Sequence, residues 1–285
     1  MNRRMGPIGQ ILVYLALIAF ALLFIYPFFI QIATSFKTDA DAAASPLSLI
    51  PNPFSLQAWR SMFDPNSAAH VPMTTWALNS VLVATLVTVG RVFFDSLAGY
   101  ALSRLHFRGR GFMFWVVVAV MAVPGVALLI PKFLMVTYLG IYNTYAAMII
   151  PLLVDAAGIF IMKQFFDSVS VSIEEAARMD GAGIFRTYWS VILPMARPAL
   201  ITLTILSFQG SWNEFTHFLV VTDGTPAHQT LVTGLASLTS GQLGAGTQYP
   251  LKLGAALLTT IPVAFLFFYF QRYFVRGANE GAEKG

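Results

Sequence analysis

The sequence predicts an all-α integral membrane protein with six transmembrane helices and both termini in the cytoplasm. Composition is the first ground: 57% of the 285 residues are hydrophobic and only 11% charged, where an ordinary soluble domain carries about 25% charged residues. The second is length. Apolar runs at 10–34, 76–100, 112–134, 144–165, 198–220 and 251–271 are each near the roughly 20 helical residues that cross a hydrocarbon core. The third is charge. With the N-terminus inside, twelve of the seventeen Lys and Arg fall in inner segments, four fall outside and Arg91 lies within a span. Inverting the chain reverses this bias, so the positive-inside rule selects the first orientation.

The first run, Ile11 to Ile32, exceeds a signal-peptide h-region, and no small-x-small cleavage site follows it, so it is expected to remain as a span. Residues 37–75, with Pro46, Pro51, Pro53, Pro65 and Pro72, form an irregular external segment. Span two carries Arg91 and Asp95, four residues apart, which are expected to neutralise each other. After span three, "IPKFLMVTYLGIYNT" reads as a short helix at the outer interface. Span four carries Asp155, for which the pattern suggests no role. Pro124, Pro151 and Pro262 are expected to kink their helices. The Gly- and Thr-rich stretch 222–250 is a second outer loop. These boundaries divide the chain into an N-terminal helix with its external loop (1–75), a transmembrane core (76–271) holding a cytoplasmic loop at 166–197, and a cytoplasmic tail (272–285).

That loop contains "EEAARMDGAGIFRTYWSVILP", residues 174–194, a polar stretch in an apolar chain. Ser172 and Glu175 have capping-box spacing, Glu174 and Arg178 an i,i+4 pairing, and Gly181 suits a left-handed helix stop. A short helix over about 173–180 follows. A second begins after Gly183, with Ile184, Tyr188, Val191 and Ile192 on one apolar face, and Pro194 and Pro198 end it. By themselves these features also fit an amphipathic connector resting on headgroups.

The full pattern goes further: E-A-A, three residues, G, nine residues, then a β-branched residue, x, L-P, with Val191 where Ile is usual. Chance agreement at six fixed positions is on the order of 10⁻⁷ per window. The segment resembles the EAA loop of bacterial ABC importer permeases and stands, as theirs does, between spans four and five. "LAGYALSRLHFRGR" (97–110), "WNEF" (212–215) and "QRYFVRG…GAEKG" (271–285) are similar to the maltose-type carbohydrate branch.

The resemblance implies a type I importer permease, in which Glu175, Ala176, Ala177, Asp180, Gly181, Leu193 and Pro194 dock on an ATPase subunit. It implies partners: a second homologous permease subunit, two ABC ATPase subunits holding ATP and Mg, an extracytoplasmic solute-binding protein and the lipid membrane. No cofactor is expected on this chain, and the charge of +4 calls for no nucleic acid.

Gln209, Asn213 and Glu214 on span five are candidates for a polar translocation path, or for polar contacts between helices. With Arg91 matched by Asp95, a neutral, hydroxyl-rich cargo is expected, that is, a sugar or oligosaccharide. Glycerol phosphodiesters or polyamines are the rival cargoes, and an ion-coupled secondary transporter the rival class. No G-x-x-x-x-G-K-[ST], metal-ligand spacing or catalytic triad is present, so no catalysis is expected.

Overall fold

The computed structural model describes residues 6–67, 70–240 and 248–282, and among these the side chains up to residue 270 except those at 7, 239, 240 and 267. Arg3, Arg4 and Lys284 of the charge argument, and the side chains of the 271–285 motif, lie outside the described residues. All regular structure among the described residues is helical.

Among the described residues four helices are long and apolar enough to cross a membrane: Ile8–Ser35, Met73–Arg104, Tyr145–Ser168 and Tyr249–Phe270. Two bent pairs, Arg110–Met121 with Gly125–Tyr138 and Ile184–Met195 with Arg197–Trp212, raise the number to six if each is one span. The runs expected as spans three and five are therefore bent helix pairs rather than straight helices. Pro124 sits in the first break, where the chain turns by 102°, and sends the 129–138 helix across the direction of its predecessor. Pro151 lies in a 3-10 turn that interrupts span four, while the last helix runs on through Pro262.

The chain forms two compact units. One comprises residues 1–73 and 235–261. It contains α1 (Pro7–Ser35), opened by Pro7 just inside its start, and the short helices α2 (Asp39–Ala44) and α3 (Gln57–Phe63). Met62, Ser35 and Trp59 close on Gly254, where the final helix lacks a side chain to keep them away. Lys37 is buried and donates from Nζ to the Ser45 carbonyl at the end of α2 (2.6 Å).

The other unit comprises residues 74–234 and 262–285. Its backbone is α4 (Met73–Arg104). Around it stand α5 (Arg110–Met121), α6 (Leu129–Tyr138), α7 (Tyr145–Ile149) and α8 (Ala156–Ser168). Then come α9 (Val171–Met179), α10 (Ile184–Thr187), a π turn (Tyr188–Ile192), α11 (Leu193–Met195), α12 (Arg197–Trp212) and α13 (Thr216–Val221). The helices α14 (Leu231–Ser240) and α15 (Tyr249–Ala282) complete the chain.

Two apolar clusters lie along α4. Val83 and Val87 pack with Val136, Met148, Phe218 and Val221; Tyr100 packs with Met162, Phe166, Tyr188, Ile192 and Leu203. Between helices in a bilayer, small residues permit the close approach on which dispersion packing depends. Gly99 does this for α4 and α8: a Cβ there would stand 2.7 Å from the Met162 Cβ and 2.9 Å from the Lys163 amide nitrogen.

The polar residues of span two do not pair with each other, as sequence spacing had suggested. Arg91 Nε donates to the Leu152 carbonyl (2.8 Å), and Asp95 Oδ1 accepts the Asp155 amide (3.0 Å). Among the described residues no carboxylate approaches Arg91 within ion-pair distance. The cause is the break at Pro151, which frees backbone groups that lipid cannot satisfy. Asp155 also gains a place: it is the N-cap of α8, its Oδ2 accepting the Gly158 amide (3.2 Å).

Candidate ATPase-docking segment and polar path

α8 stops at Ser168, and α9 begins two residues later with Ser170 as its N-cap. The capping box between Ser172 and Glu175 is therefore not formed. Both residues lie inside the helix, and Ser172 Oγ is 2.7 Å from Ser170 Oγ instead. The early start follows from Glu174, which turns inward and is 3% exposed.

Its carboxylate lies 3.3 Å from Arg104 Nε and 3.8 Å from Arg178 Nη2, so the predicted i,i+4 pair is present as the longer of two ion pairs. The Arg104 contact is close enough for an ion pair but lacks the alignment of a hydrogen bond. Arg104 Nη2 also donates to the carbonyls of Phe166 and Val169 at the end of α8. There the helix dipole concentrates negative charge.

Adjacent helical residues point about 100° apart, so with Glu174 inward, Glu175 is exposed, as is Ala176, while Ala177 is buried. The stop at Gly181 has the predicted geometry: φ is +78°, which favours glycine. The Ala182 amide donates to the Ala177 carbonyl (2.9 Å) and the Gly181 amide to that of Arg178 (3.0 Å), the two bonds of a Schellman motif. Asp180 is the exposed C-cap.

The second helix is less regular than its periodicity suggested. Tyr188 and Ile192 are buried and Val191 packs against the same cluster, but Ile184 is 55% exposed. The π turn inserts an extra residue and rotates everything before it relative to the face that follows. Leu193 is half-buried, Pro194 is exposed, and Ala196 marks an 80° bend into α12. Glu175, Ala176 and Met179 of α9 and Ile184 and Phe185 of α10 are all exposed. Arg104 and Glu174 were missed as partners because they stand seventy residues apart in a chain with many Arg; the doubled glutamate was the one local sign.

Of the path candidates, Gln209 and Asn213 are exposed one turn apart, the Asn213 amide donating to the Gln209 carbonyl (3.1 Å). α12 ends at Trp212, so Glu214 is off the helix, and its Oε1 accepts the His217 amide (2.8 Å) at the start of α13. Toward that end, Asn79 of α4 holds the 222–230 loop. Its Nδ2 donates to the carbonyls of Ala227 (2.9 Å) and Gln229 (2.8 Å) while its Oδ1 accepts from Tyr145 Oη (2.7 Å). Residues 241–247 of the second outer loop lie outside the described residues. Among the described residues no three His, Asp or Glu side chains gather as a metal ion would require.

Comparison with known proteins agrees with this geometry. The chain is 30% identical over its whole length to the arabinooligosaccharides transport system permease protein AraQ of Halalkalibacterium halodurans, covering 100% of each. It is 32% identical to the polygalacturonan/rhamnogalacturonan transport system permease protein YtcP of Bacillus subtilis, over 97% of this chain and 98% of that one. It is 30% identical to the sn-glycerol-3-phosphate transport system permease protein UgpE of Yersinia pestis, over 94% and 95%. Its fold superposes with a TM-score of 0.80 and 25% identity on a chain of a bacterial ABC transporter involved in the import of the acidic polysaccharide alginate, covering 96% of this chain and 99% of that one. Residues 95–280, more than half of the chain, match the family described as binding-protein-dependent transport system inner membrane component, and the chain belongs to that family.

Proposed function

We propose that this chain is the transmembrane permease subunit of an ABC importer for a sugar or oligosaccharide, working with an ATP- and Mg-holding pair of ATPase subunits, a second permease and an extracytoplasmic solute-binding protein. The observation that carries the reading is the outward face of α9 and α10. A carboxylate at Glu175 and three large apolar side chains stand free beside a Schellman corner. A headgroup-resting connector would turn its apolar side chains and its acid to opposite faces; here Glu175 and Met179, four residues apart on α9, share one face, as a protein partner needs. The loop faces the cytoplasm, the outer loops meet the receptor, and the chemistry of ATP hydrolysis belongs to the partner. The names of several relatives support a saccharide cargo.

A second reading of the cargo is an anion. Among the described residues no carboxylate lies within ion-pair distance of Arg91, where the neutral-cargo expectation relied on a matched pair, and one relative is named for glycerol-3-phosphate. The test is purification of the complex from its native host, then uptake into proteoliposomes of labelled neutral oligosaccharides, oligouronates and glycerol phosphate with the copurifying receptor. Saccharide uptake with a bound ATPase supports the proposal. Uptake of glycerol phosphate alone replaces its cargo, and a complex without an ATPase overturns it.

A further inference from the structure

Ser96, Tyr100 and Arg104 follow one another at single-turn spacing on α4, so their side chains form one stripe. Every member of that stripe ends on the docking segment. Ser96 directs its own hydroxyl hydrogen to the Val92 carbonyl, which leaves Tyr188 Oη as donor to Ser96 Oγ across 2.8 Å. The Tyr100 ring lies 5.0 Å from that of Tyr188 and meets Phe166 of α8 edge-on at 5.8 Å. Arg104 faces Glu174 at 3.3 Å and binds the last carbonyls of α8 with its Nη2. Ser96, Tyr100, Arg104, Glu174 and Tyr188 are all buried, so these contacts are shielded from water and from salt.

Stability alone does not call for an ion pair here, since well-packed apolar residues of similar volume hold such an interface as firmly. What a buried ion pair adds, with Arg104 Nη2 held by the two carbonyls of α8, is a single defined geometry. The two neighbouring glutamates therefore divide two tasks: Glu175 is presented to the partner, while Glu174 fastens α9 to α4 and, through Arg104, to α8. Chain connectivity gives the docking segment a second route into the membrane, through the 80° bend into α12.

From this geometry we infer that α4 is a second lever of the docking segment, and that Arg104 and Glu174 are the positioning pair that makes α9 and the inner end of α4 move as one body when the ATPase closes. The inference rests on the proposed function, because it presumes that an ATPase pulls on α9. It assigns roles to two residues that touch neither nucleotide nor cargo.

The test uses the assembled complex, with cysteines for spin labels replacing exposed His106, just beyond α4, and exposed Ser170, the N-cap of α9, both off the outward docking face. The chain has no cysteine of its own to interfere. The His106–Ser170 distance is measured without nucleotide and after trapping with ATP and vanadate. The expected result is one narrow distance in both states for the otherwise wild-type chain, and a shifted or second population after trapping in Glu174→Gln. Arg104→Lys, which keeps the charge but cannot reach Glu174 and both carbonyls together, should broaden the trapped distribution less. Glu174→Gln should still retain the ATPase, since the outward face is untouched, and Arg104→Lys serves alone if that complex does not assemble. A wild-type distance that changes on trapping overturns the inference, as does a trapped distribution in the variants identical to wild type. A wild-type complex that retains no ATPase instead overturns the proposed function, so the two failures are distinguishable.

Discussion

Replacing Gly158 by Ala adds one methyl group where α8 meets α4, and the structure says how costly that methyl is. An added Cβ would stand 2.2 Å from Asp95 Oδ2, 3.0 Å from its Cγ and 3.0 Å from Leu203 Cδ1. Asp95 is fully buried, and its other oxygen holds the Asp155 amide at 3.0 Å. The carboxyl can escape only by turning away from that amide. Overpacking of this kind costs about 1–3 kcal/mol. Stranding a buried amide and carboxyl costs about another 1–3 kcal/mol. The helix gains back about 0.5–1 kcal/mol when Gly becomes Ala. The net expectation is a loss of about 3 kcal/mol, or roughly 6–12 °C in the unfolding midpoint of a chain this size.

The assay is thermal unfolding of the purified protein in a mild detergent, with Gly125→Ala as control because nothing lies within 4 Å of the site of its added Cβ. Asp95→Ala in the Gly158→Ala background removes the colliding carboxyl, so the double variant should be more stable than the sum of the two single losses. Two outcomes refute the reasoning: a wild-type midpoint for Gly158→Ala, or strict additivity of the pair.

Orientation is tested by thiol labelling of intact cells: a cysteine at exposed Asn66 should react with an impermeant reagent, and one at exposed Ser170 should not. Gly181→Val meets no neighbour within 4 Å, so its cost is backbone strain of about 1–2 kcal/mol at positive φ, and misaiming of α10 should lower copurification of the ATPase while insertion is kept. Glu175→Lys should lose the ATPase outright and Glu175→Gln part of it; full retention by Glu175→Lys would remove the docking role of that carboxylate. Asn213→Ala, at an exposed position, should leave the stability within about 0.5 kcal/mol of wild type yet reduce uptake, and unchanged uptake would take Asn213 out of the path.

The class, and the short helix of the candidate docking segment with its stop, were legible because hydropathy and the Gly181 turn are local signals. A left-handed glycine after a short polar helix needs no tertiary partner to form. What sequence spacing misjudged depended on partners far along the chain. The capping box was displaced because α9 starts where α8 releases it and where Arg104 draws Glu174 inward. The apolar face of α10 lost Ile184 to a π turn, whose extra residue leaves no mark in a hydrophobic period. Arg91 and Asp95 have the spacing of a pair, and local reasoning pairs them. Their partners are a carbonyl and an amide some sixty residues away, exposed only because the helix breaks at Pro151. Glu214 was placed on the helix of Gln209 and Asn213, whereas α12 ends at Trp212 and the Glu214 carboxylate accepts the His217 amide at the start of α13.

The arrangement at that break also constrains how the sequence can change. The interruption and the two α4 side chains that serve it each make sense only in the presence of the other. Healing the break, as Pro151→Leu would encourage, leaves a guanidinium and a carboxyl inside the bilayer with no backbone to grip. Trimming Arg91 or Asp95 leaves a bare carbonyl or amide there instead. Either single step passes through a less stable protein, and only concerted replacement of the proline and both polar arms returns to an unbroken apolar contact. The three positions should therefore be inherited as a block, and a chimaera that takes α4 from one relative and the α7–α8 corner from another should fold only when both parents carry the same block.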